Sequence, residues 1–200
     1  MTPPLHERLR FDTEHGAVFD ATRRYVLLRA DVLMGLFDEL AEPAKSDALR
    51  AFGRAVARQG ADSVRAYVAT SGTDALMQTM QEAAASLGWG RWQLAGGGER
   101  DEDLPSLRLA VDNSPFAAAA VPSTGPVCHA IAGMLEAIAS ALWQRPAIVH
   151  ETRCRAQHGD GACRFVAMPA GVAMPPSAFP PPSPRIRPTP PPLITRRPVT

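Results

Sequence analysis

Short apolar and polar runs alternate along the first 30 residues of the chain. Residues 9–19 alternate on either side of the turn-like segment 13–16, and a β-branched and aromatic run follows over residues 25–29. Alternation with a period of two is typical of half-buried strands, and turn residues between two such runs indicate a hairpin. This pattern predicts a small N-terminal β-structure.

Apolar residues at helical spacing predict four helices, over residues 31–41, 46–69, 71–87 and about 127–142. Local signals suggest where three of them begin or end. We expect Asp31 to cap the first helix, Pro43 to terminate it, Ser71 and Asp74 to form a capping box for the third, and Gly88 to end it. The apolar side of the first helix would consist of Val32, Leu36, Phe37 and Leu40.

Four segments have the composition of strands, and they fall into two pairs. Residues 89–95 and 107–111 are joined by a flexible acidic connection, and residues 147–153 and 162–168 form a hairpin-like pair at the end. Strands and helices do not alternate as in a βαβ repeat. The order therefore predicts an α+β fold with an antiparallel sheet packed against several helices.

Composition divides the chain into a body and a tail. Twelve of the 20 prolines lie between Pro169 and Thr200, together with four arginines and no acidic residue. With the tail set aside, the formal charge falls from +1 to −3. We therefore expect a folded domain over residues 1–169 and a disordered, polyproline-rich tail over 170–200, in which a Pro-x-x-Pro segment could dock on a protein partner.

Several classes of protein are disfavoured by what the chain lacks. The body contains no basic stripe or aromatic RNA-binding motif, which argues against direct binding of nucleic acid. The N-terminus has no apolar core typical of a signal peptide, and the longest apolar stretch is too short and too polar to span a bilayer. We expect a soluble, cytoplasmic protein without a membrane span.

The three cysteines are the first indication of chemistry. Cys154 and Cys163 lie at the facing ends of the predicted terminal hairpin, and Cys128 lies near the start of the preceding helix. Three converging thiolates need one further ligand to form the tetrahedral site that zinc prefers, and Glu151 is the nearest acid. Alternatives remain open at this point: the cysteines could simply be buried, and the competing ligands are His129, His150 and His158.

The segment that contains these residues resembles a known family. Residues 149–166, read as VHETRCRAQHGDGACRFV, look like the closing signature of the 4-vinyl-reductase domain family, in which Glu-x-x-Cys is followed by a Gly-Asp loop and Cys-x-Phe. Residues 113–116 and 125–129 are also similar to its pattern. The resemblance extends over about residues 86–168.

The resemblance implies a fold, a metal site and a range of functions. Carried over by position, it implies a structural zinc site formed by Cys128, Glu151, Cys154 and Cys163. It also implies an α/β ligand-binding module, often dimeric, that is related to vesicle-tethering and nitric-oxide-signalling domains. Members occur as sensors of phenolic or hydrocarbon effectors in transcription activators, and as separate proteins in bacteriochlorophyll synthesis.

We therefore expect a zinc-stabilised, homodimeric sensor or carrier of a hydrophobic aromatic, hydrocarbon or tetrapyrrole ligand. Its pocket would lie between the long helices and the sheet, with Trp89, Trp92 and Phe116 in its lining. One alternative is a 4-vinyl reductase or accessory factor in bacteriochlorophyll synthesis, although no Gly-x-Gly-x-x-Gly fingerprint supports a nicotinamide site and we expect a binding protein rather than an enzyme. Another is a dimeric interaction protein that uses the Pro-rich tail.

Overall fold

The computed structural model describes residues 5–97, 105–120, 122–159 and 161–172. Its N-terminal part is a one-turn helix followed by a three-stranded antiparallel sheet, in which the strands pair in the order β1-β2-β3. The predicted N-terminal β-structure is confirmed, although its last strand ends at Tyr25 and not at Arg29. These elements are α1 (Leu5–Arg8), β1 (Arg10–Asp12), β2 (Ala17–Asp20) and β3 (Arg23–Tyr25).

All four predicted helices are present, and the described residues form two further short helices where the sequence predicted none. A helix of one turn is too short to show a periodic apolar pattern, which explains why these two were missed. The long helices are α2 (Ala30–Asp38), α3 (Ala44–Ser71), α4 (Leu76–Ser86) and α6 (His129–Trp143), and the short ones are α5 (Pro115–Ala119) and α7 (Arg155–His158).

Two of the predicted helix starts are wrong. Arg29, not Asp31, is the N-cap residue of α2, and the Asp31 carboxylate instead accepts a hydrogen bond from its neighbouring amide and pairs with the Arg29 guanidinium. Ser71 does not open α4, because it is the last residue of α3. Gly72, at φ +79°, ends that helix, and α4 begins at Leu76 without a side-chain cap.

Packing turns α2 so that its predicted apolar side is mostly exposed. Met34 and Phe37 are buried, whereas Val32 and Leu36 are 52% and 63% exposed. Helix α2 packs on α5 and α3, and these contacts take the face that carries Met34. The end of α2 also differs from the prediction, since the helix stops at Asp38 and Pro43 is the N-cap residue of α3.

The main sheet has four antiparallel strands in the order β4-β5-β7-β6, which confirms the α+β class. The last strand in the chain is therefore a central one, and six of its seven residues are buried. A register shift between Glu151 and Arg153 marks a bulge in the terminal hairpin. The strands are β4 (Arg91–Gly97), β5 (Ser106–Asp112), β6 (Ala147–Arg153) and β7 (Cys163–Pro169).

Helix α6 lies between this sheet and α3, and two glycines allow the helices to approach closely. A Cβ atom at Gly133 would overlap the main-chain oxygen of Gly53, and a Cβ atom at Gly53 would lie 2.6 Å from the main-chain oxygen of His129. The other side of α6 carries Ile131, Leu135 and Ile138, which are fully buried. This contact fixes the N-terminus of α6 relative to the terminal hairpin.

Some of the predicted features fall outside the described residues. These include residues 98–104 of the acidic connection and residues 173–200 of the predicted tail. Among the described residues, no helix combines the length and the apolar character that a membrane crossing requires.

Candidate functional site

Four side chains from three parts of the chain converge at one end of the main sheet. Cys128 precedes α6, Glu151 lies in β6, Cys154 precedes α7, and Cys163 is the first residue of β7. Their candidate ligand atoms, three sulfurs and one carboxylate oxygen, all lie within 4.8 Å of one another. The hairpin brings Glu151, Cys154 and Cys163 together, and the packing of α6 adds Cys128.

The geometry of this Cys3Glu cluster fits a small tetrahedral metal ion. The sulfur atoms of Cys128 and Cys163 lie 3.6 Å apart. Two thiolates bound to one zinc ion at about 2.3 Å are separated by roughly 3.8 Å in a tetrahedral site. All three cysteines are buried and none forms a disulfide. The cluster can hold a metal ion in a closed four-ligand site, which leaves no position for a substrate.

The Glu151 carboxylate is the least satisfied group of the cluster. Its Oε2 atom accepts a hydrogen bond of 3.1 Å from the amide of Cys128, whereas Oε1 is buried and has no hydrogen-bond partner among the described residues. Burial, followed by the charge of Cys154, raises the pKa of Glu151 to about 9. A buried carboxylate oxygen without a donor is costly, and a bound cation would remove that cost.

The cysteine thiols do not share one protonation behaviour. Hydrogen bonding to the Cys128 and Cys154 thiols lowers the pKa of Cys163 to about 4, and the amide of Arg155 contributes a hydrogen bond of 3.4 Å to the Cys163 sulfur. Hydrogen bonds to Cys154 and Cys163, together with burial, raise the pKa of Cys128. The first negative charge is therefore best placed on Cys163, where a main-chain N–H group points at the sulfur.

Ser114 is a neighbour of the cluster that the sequence did not identify. It is buried, and its hydroxyl lies 3.3 Å from the Cys128 sulfur and 3.4 Å from the amide of Ala117, which makes it the N-cap residue of α5. The segment 113–116 was noted for its family resemblance, and that was the available signal. A hydroxyl at this place can orient the sulfur of Cys128, as outer groups do around metal ligands.

None of the three candidate histidines joins the cluster formed by the described residues. The ring of His158 hydrogen-bonds the main-chain oxygen of Cys154 at 2.8 Å. His150 is exposed on β6, where alternation of side chains points it away from Glu151. His129 is the first residue of α6, and burial lowers its pKa. Among these candidates, only Glu151 directs a side-chain oxygen to the three sulfurs.

A cavity of about 530 Å³ opens between the N-terminal sheet, α3 and α4. Trp89 and Trp92 both line it, and the Trp92 indole donates a hydrogen bond of 3.1 Å to the main-chain oxygen of Trp89. Phe116 is not part of its lining. The Phe116 ring lies behind that of Trp89, edge-on, with centroids 5.4 Å apart, so it supports the wall from outside.

The inner lining of the cavity is mainly apolar, and polar side chains come from β3 and α3. The Tyr67 hydroxyl accepts a hydrogen bond of 3.3 Å from Arg8, whose guanidinium also binds both carboxylate oxygens of Asp20 at 3.1 and 2.8 Å. Burial raises the pKa of Tyr25. The apolar members include Leu5, Val56, Gly60, Met80, Ala83, Ala84, Leu87 and Met134.

Helix α6 connects the cluster with the cavity. No ligand of the cluster lines the cavity, but Cys128 precedes α6 and Met134 of the same helix reaches the cavity wall. Met134 also touches the helix opposite, since a Cβ atom at Gly60 would lie 3.0 Å from its methyl group. A metal ion held by Cys128 would therefore fix the helix that forms part of this wall.

Comparison with known proteins confirms the family resemblance of this segment. Residues 107–169 match the family model of the 4-vinyl-reductase domain, so the chain carries a domain of this family over that range. Comparison with the curated proteins gives no significant match.

Three solved structures illustrate the proteins to which this chain is similar. The phenol-responsive sensory domain of the transcription activator PoxR, solved with phenol, has a TM-score of 0.68 at 20% identity and covers 82% of this chain and 86% of that one. A vinyl-4-reductase family protein from Methanocaldococcus jannaschii has a TM-score of 0.45 at 15% identity, over 70% and 90% of the two chains. Subunit 3 of a trafficking protein particle complex from Naegleria fowleri, covalently bound to palmitic acid, has a TM-score of 0.45 at 11% identity, over 73% and 98%.

Proposed function

We propose that this protein binds a hydrophobic small molecule in the cavity between the N-terminal sheet, α3 and α4, as a sensor or carrier. The observation that carries the proposal is the cavity itself. Its volume of about 530 Å³ lies within the range of small-molecule sites, and its inner lining is apolar and includes two tryptophans. The fold shared with a phenol-responsive sensory domain supports the same role.

The binding role is tested by filling the cavity. Ala84 is buried and lines the cavity, whereas Ala85, the next residue on α4, is exposed. Ala84→Leu should weaken the binding of an apolar probe such as 2-naphthol by about 10-fold, since one added side chain of this size removes space worth more than about 1 kcal/mol of contact. Ala85→Leu is the matched control and should bind the probe as the parent does. Equal affinities in calorimetry for both variants would place the binding site elsewhere.

The second part of the proposal is that the Cys3Glu cluster holds one structural zinc ion. Cys128, Glu151, Cys154 and Cys163 would be its ligands, and the unpartnered Oε1 atom of Glu151 supports this assignment. Zinc would supply bonds that join α6 to the terminal hairpin. Because the four ligands complete the tetrahedron, its role would be to stabilise the fold and not to activate water.

Metal analysis of the purified full chain tests the zinc assignment. We expect about one zinc per chain, and its loss in Cys154→Ser because one of four ligands is removed. Thr152→Ser is the matched control, since Thr152 lies on the same strand and its hydroxyl bonds the main-chain oxygen of Arg164, which serine can also do. Substoichiometric zinc in the parent, with unchanged thermal stability in Cys154→Ser, would refute the assignment.

A homodimer completes the proposal, and exposed apolar residues support it. Val26, Leu27 and Leu28 are 83%, 66% and 57% exposed, and they lead directly into the exposed side of α2 with Val32 and Leu36. An apolar series of this kind is typical of an association surface. Light scattering should report a dimer that Leu27→Asp dissociates. The control Ile148→Asp changes an exposed apolar residue of β6 instead, and a monomeric parent would exclude this surface as a stable interface.

The remaining assignments stay predictions. The reductase alternative has no support from a nucleotide-binding motif, and the cluster offers no open coordination position for a reaction. The cytoplasmic location and the role of the Pro-rich tail are likewise predictions. The domain limits, 1–169 for the body and 170–200 for the tail, would be tested by limited proteolysis, which we expect to remove the tail first.

A further inference from the structure

The mouth of the cavity carries positive charge that no carboxylate neutralises among the described residues. Arg23 and Arg24 of β3 line it, together with Asp62 of α3. The Asp62 carboxylate is already engaged by Arg65 of the same helix. Arg23 donates to the main-chain oxygen of Asp62 at 3.3 Å, and Arg24 donates to that of Gly16 at 3.5 Å. Neither arginine forms an ion pair within the described part of the chain.

Of the two arginines, Arg23 is the better placed to meet a ligand. It is partly buried, as is its strand neighbour Tyr25, whereas Arg24 is exposed on the opposite side of β3. A guanidinium has five N–H donors, and the main-chain oxygen of Asp62 uses one of them. The remaining donors can bind both oxygens of a carboxylate in parallel, a geometry that suits arginine.

From this arrangement, which rests on the proposed binding function, we infer that the ligand is an amphipathic anion. Its apolar body occupies the inner cavity beside Trp89 and Trp92, and its single carboxylate lies at the mouth against Arg23. A charge-assisted hydrogen bond is about twice as strong as one between neutral groups, and it is screened less in a half-enclosed site than in open water. The lining therefore favours the anion over a neutral alcohol of the same shape.

Two probes of similar size separate the anionic head from the apolar body. 2-Naphthoate is ionised at pH 7, whereas 2-naphthol is neutral, and both carry the same ring system. Calorimetry on the full chain should give an affinity for 2-naphthoate about 10-fold above that for 2-naphthol. Arg23→Gln should weaken 2-naphthoate by about 10-fold and 2-naphthol by less than about 2-fold.

The matched control is Arg54→Gln, which removes the same charge from an exposed position of α3 outside the cavity lining. It should leave the preference for 2-naphthoate unchanged. Arg23→Lys keeps the charge without the planar pair of donors, and it should retain part of the preference. Unaltered 2-naphthol binding and circular dichroism would show that Arg23→Gln is folded.

The outcomes distinguish this inference from the binding function beneath it. If the parent binds 2-naphthol as tightly as 2-naphthoate, or if Arg23→Gln changes both affinities equally, the anion preference is refuted while the cavity remains a binding site. If neither probe binds, the proposed function fails first. Because the preference of the parent is measured without any substitution, an unfolded variant does not remove the test.

Discussion

Gly133 of α6 approaches Gly53 of α3 so closely that a Cβ atom on Gly133 would overlap the main-chain oxygen of Gly53. The contact is backbone against backbone, so no side chain can move aside to relieve it. It lies near the first turns of α6, the part of the helix that follows Cys128. The position of the metal ligands therefore depends on two residues that have no side chain.

Substitution of Gly133 measures this contact. Gly133→Ala should lower the free energy of unfolding by about 2–4 kcal/mol, because the steric cost of overpacking exceeds the gain of up to about 1 kcal/mol from helix propensity. Gly35 of α2 is the control, since a Cβ atom there meets nothing within 4 Å. Gly35→Ala should be stabilising in urea denaturation. An equal effect of both substitutions would show that α3 and α6 can separate without cost.

The ion pair between Arg8 and Asp20 should stabilise the N-terminal sheet against the body. Asp20 is buried, so Arg8→Met leaves a carboxylate without its strongest partner and should cost about 3 kcal/mol. Arg10→Met removes an arginine of similar sequence position whose pair with Asp12 is exposed, and it should cost less than about 1 kcal/mol. Thermal unfolding monitored by circular dichroism compares them. Equal losses would mean that burial of Asp20 adds nothing to the pair.

Loss of Glu151 should be felt by the metal more than by the fold. Glu151→Gln removes the anionic ligand but keeps its size, and we expect zinc to be released to a competing chelator at least about 10-fold more readily. Removal of zinc should also lower the melting temperature of the parent and expose the cysteine thiols to reagent. A chelator-resistant Glu151→Gln protein would indicate that another group completes the tetrahedron.

Glu136 of α6 provides a pH-dependent comparison. Burial raises its pKa, so its protonated form is the one that the fold favours. Its stabilising contribution is complete below the unfolded-state pKa of about 4.3 and is lost as the pH rises through the higher folded-state value. Glu136→Gln should therefore stabilise the protein at pH 7, by up to about 0.5 kcal/mol for a half-exposed side chain, and have less effect at pH 4. A larger gain at pH 4 would reverse the assigned direction.

Periodicity of apolar residues predicted the long helices and the strand pairs, because each of these elements buries one side continuously. It failed for α2, where Leu36 has the helical spacing of a core residue but lies 63% exposed, since the packing partners of the helix decide which side is covered. Helix caps failed for a similar reason. Ser71 has the chemistry of an N-cap, but the preceding helix extends through it.

The candidate site was easier to anticipate than its surroundings. Cys154, Cys163 and Glu151 lie close together because a hairpin brings its two ends into contact, and hairpins are visible in a sequence. Arg23 was not identified, because its position at the cavity depends on how the N-terminal sheet packs against α3. Contacts between residues distant in sequence leave no local pattern.

The central position of β7 has a consequence for synthesis of the chain. β5 and β6 both pair with β7 and not with each other, although β7 is the last of the four strands to be made. On the ribosome, β6 has no neighbour in the sheet until residues 163–169 have emerged, and Cys163 emerges with them. The sheet and the metal ligands are therefore completed in the same late step of translation, when one segment is inserted between strands already waiting on either side.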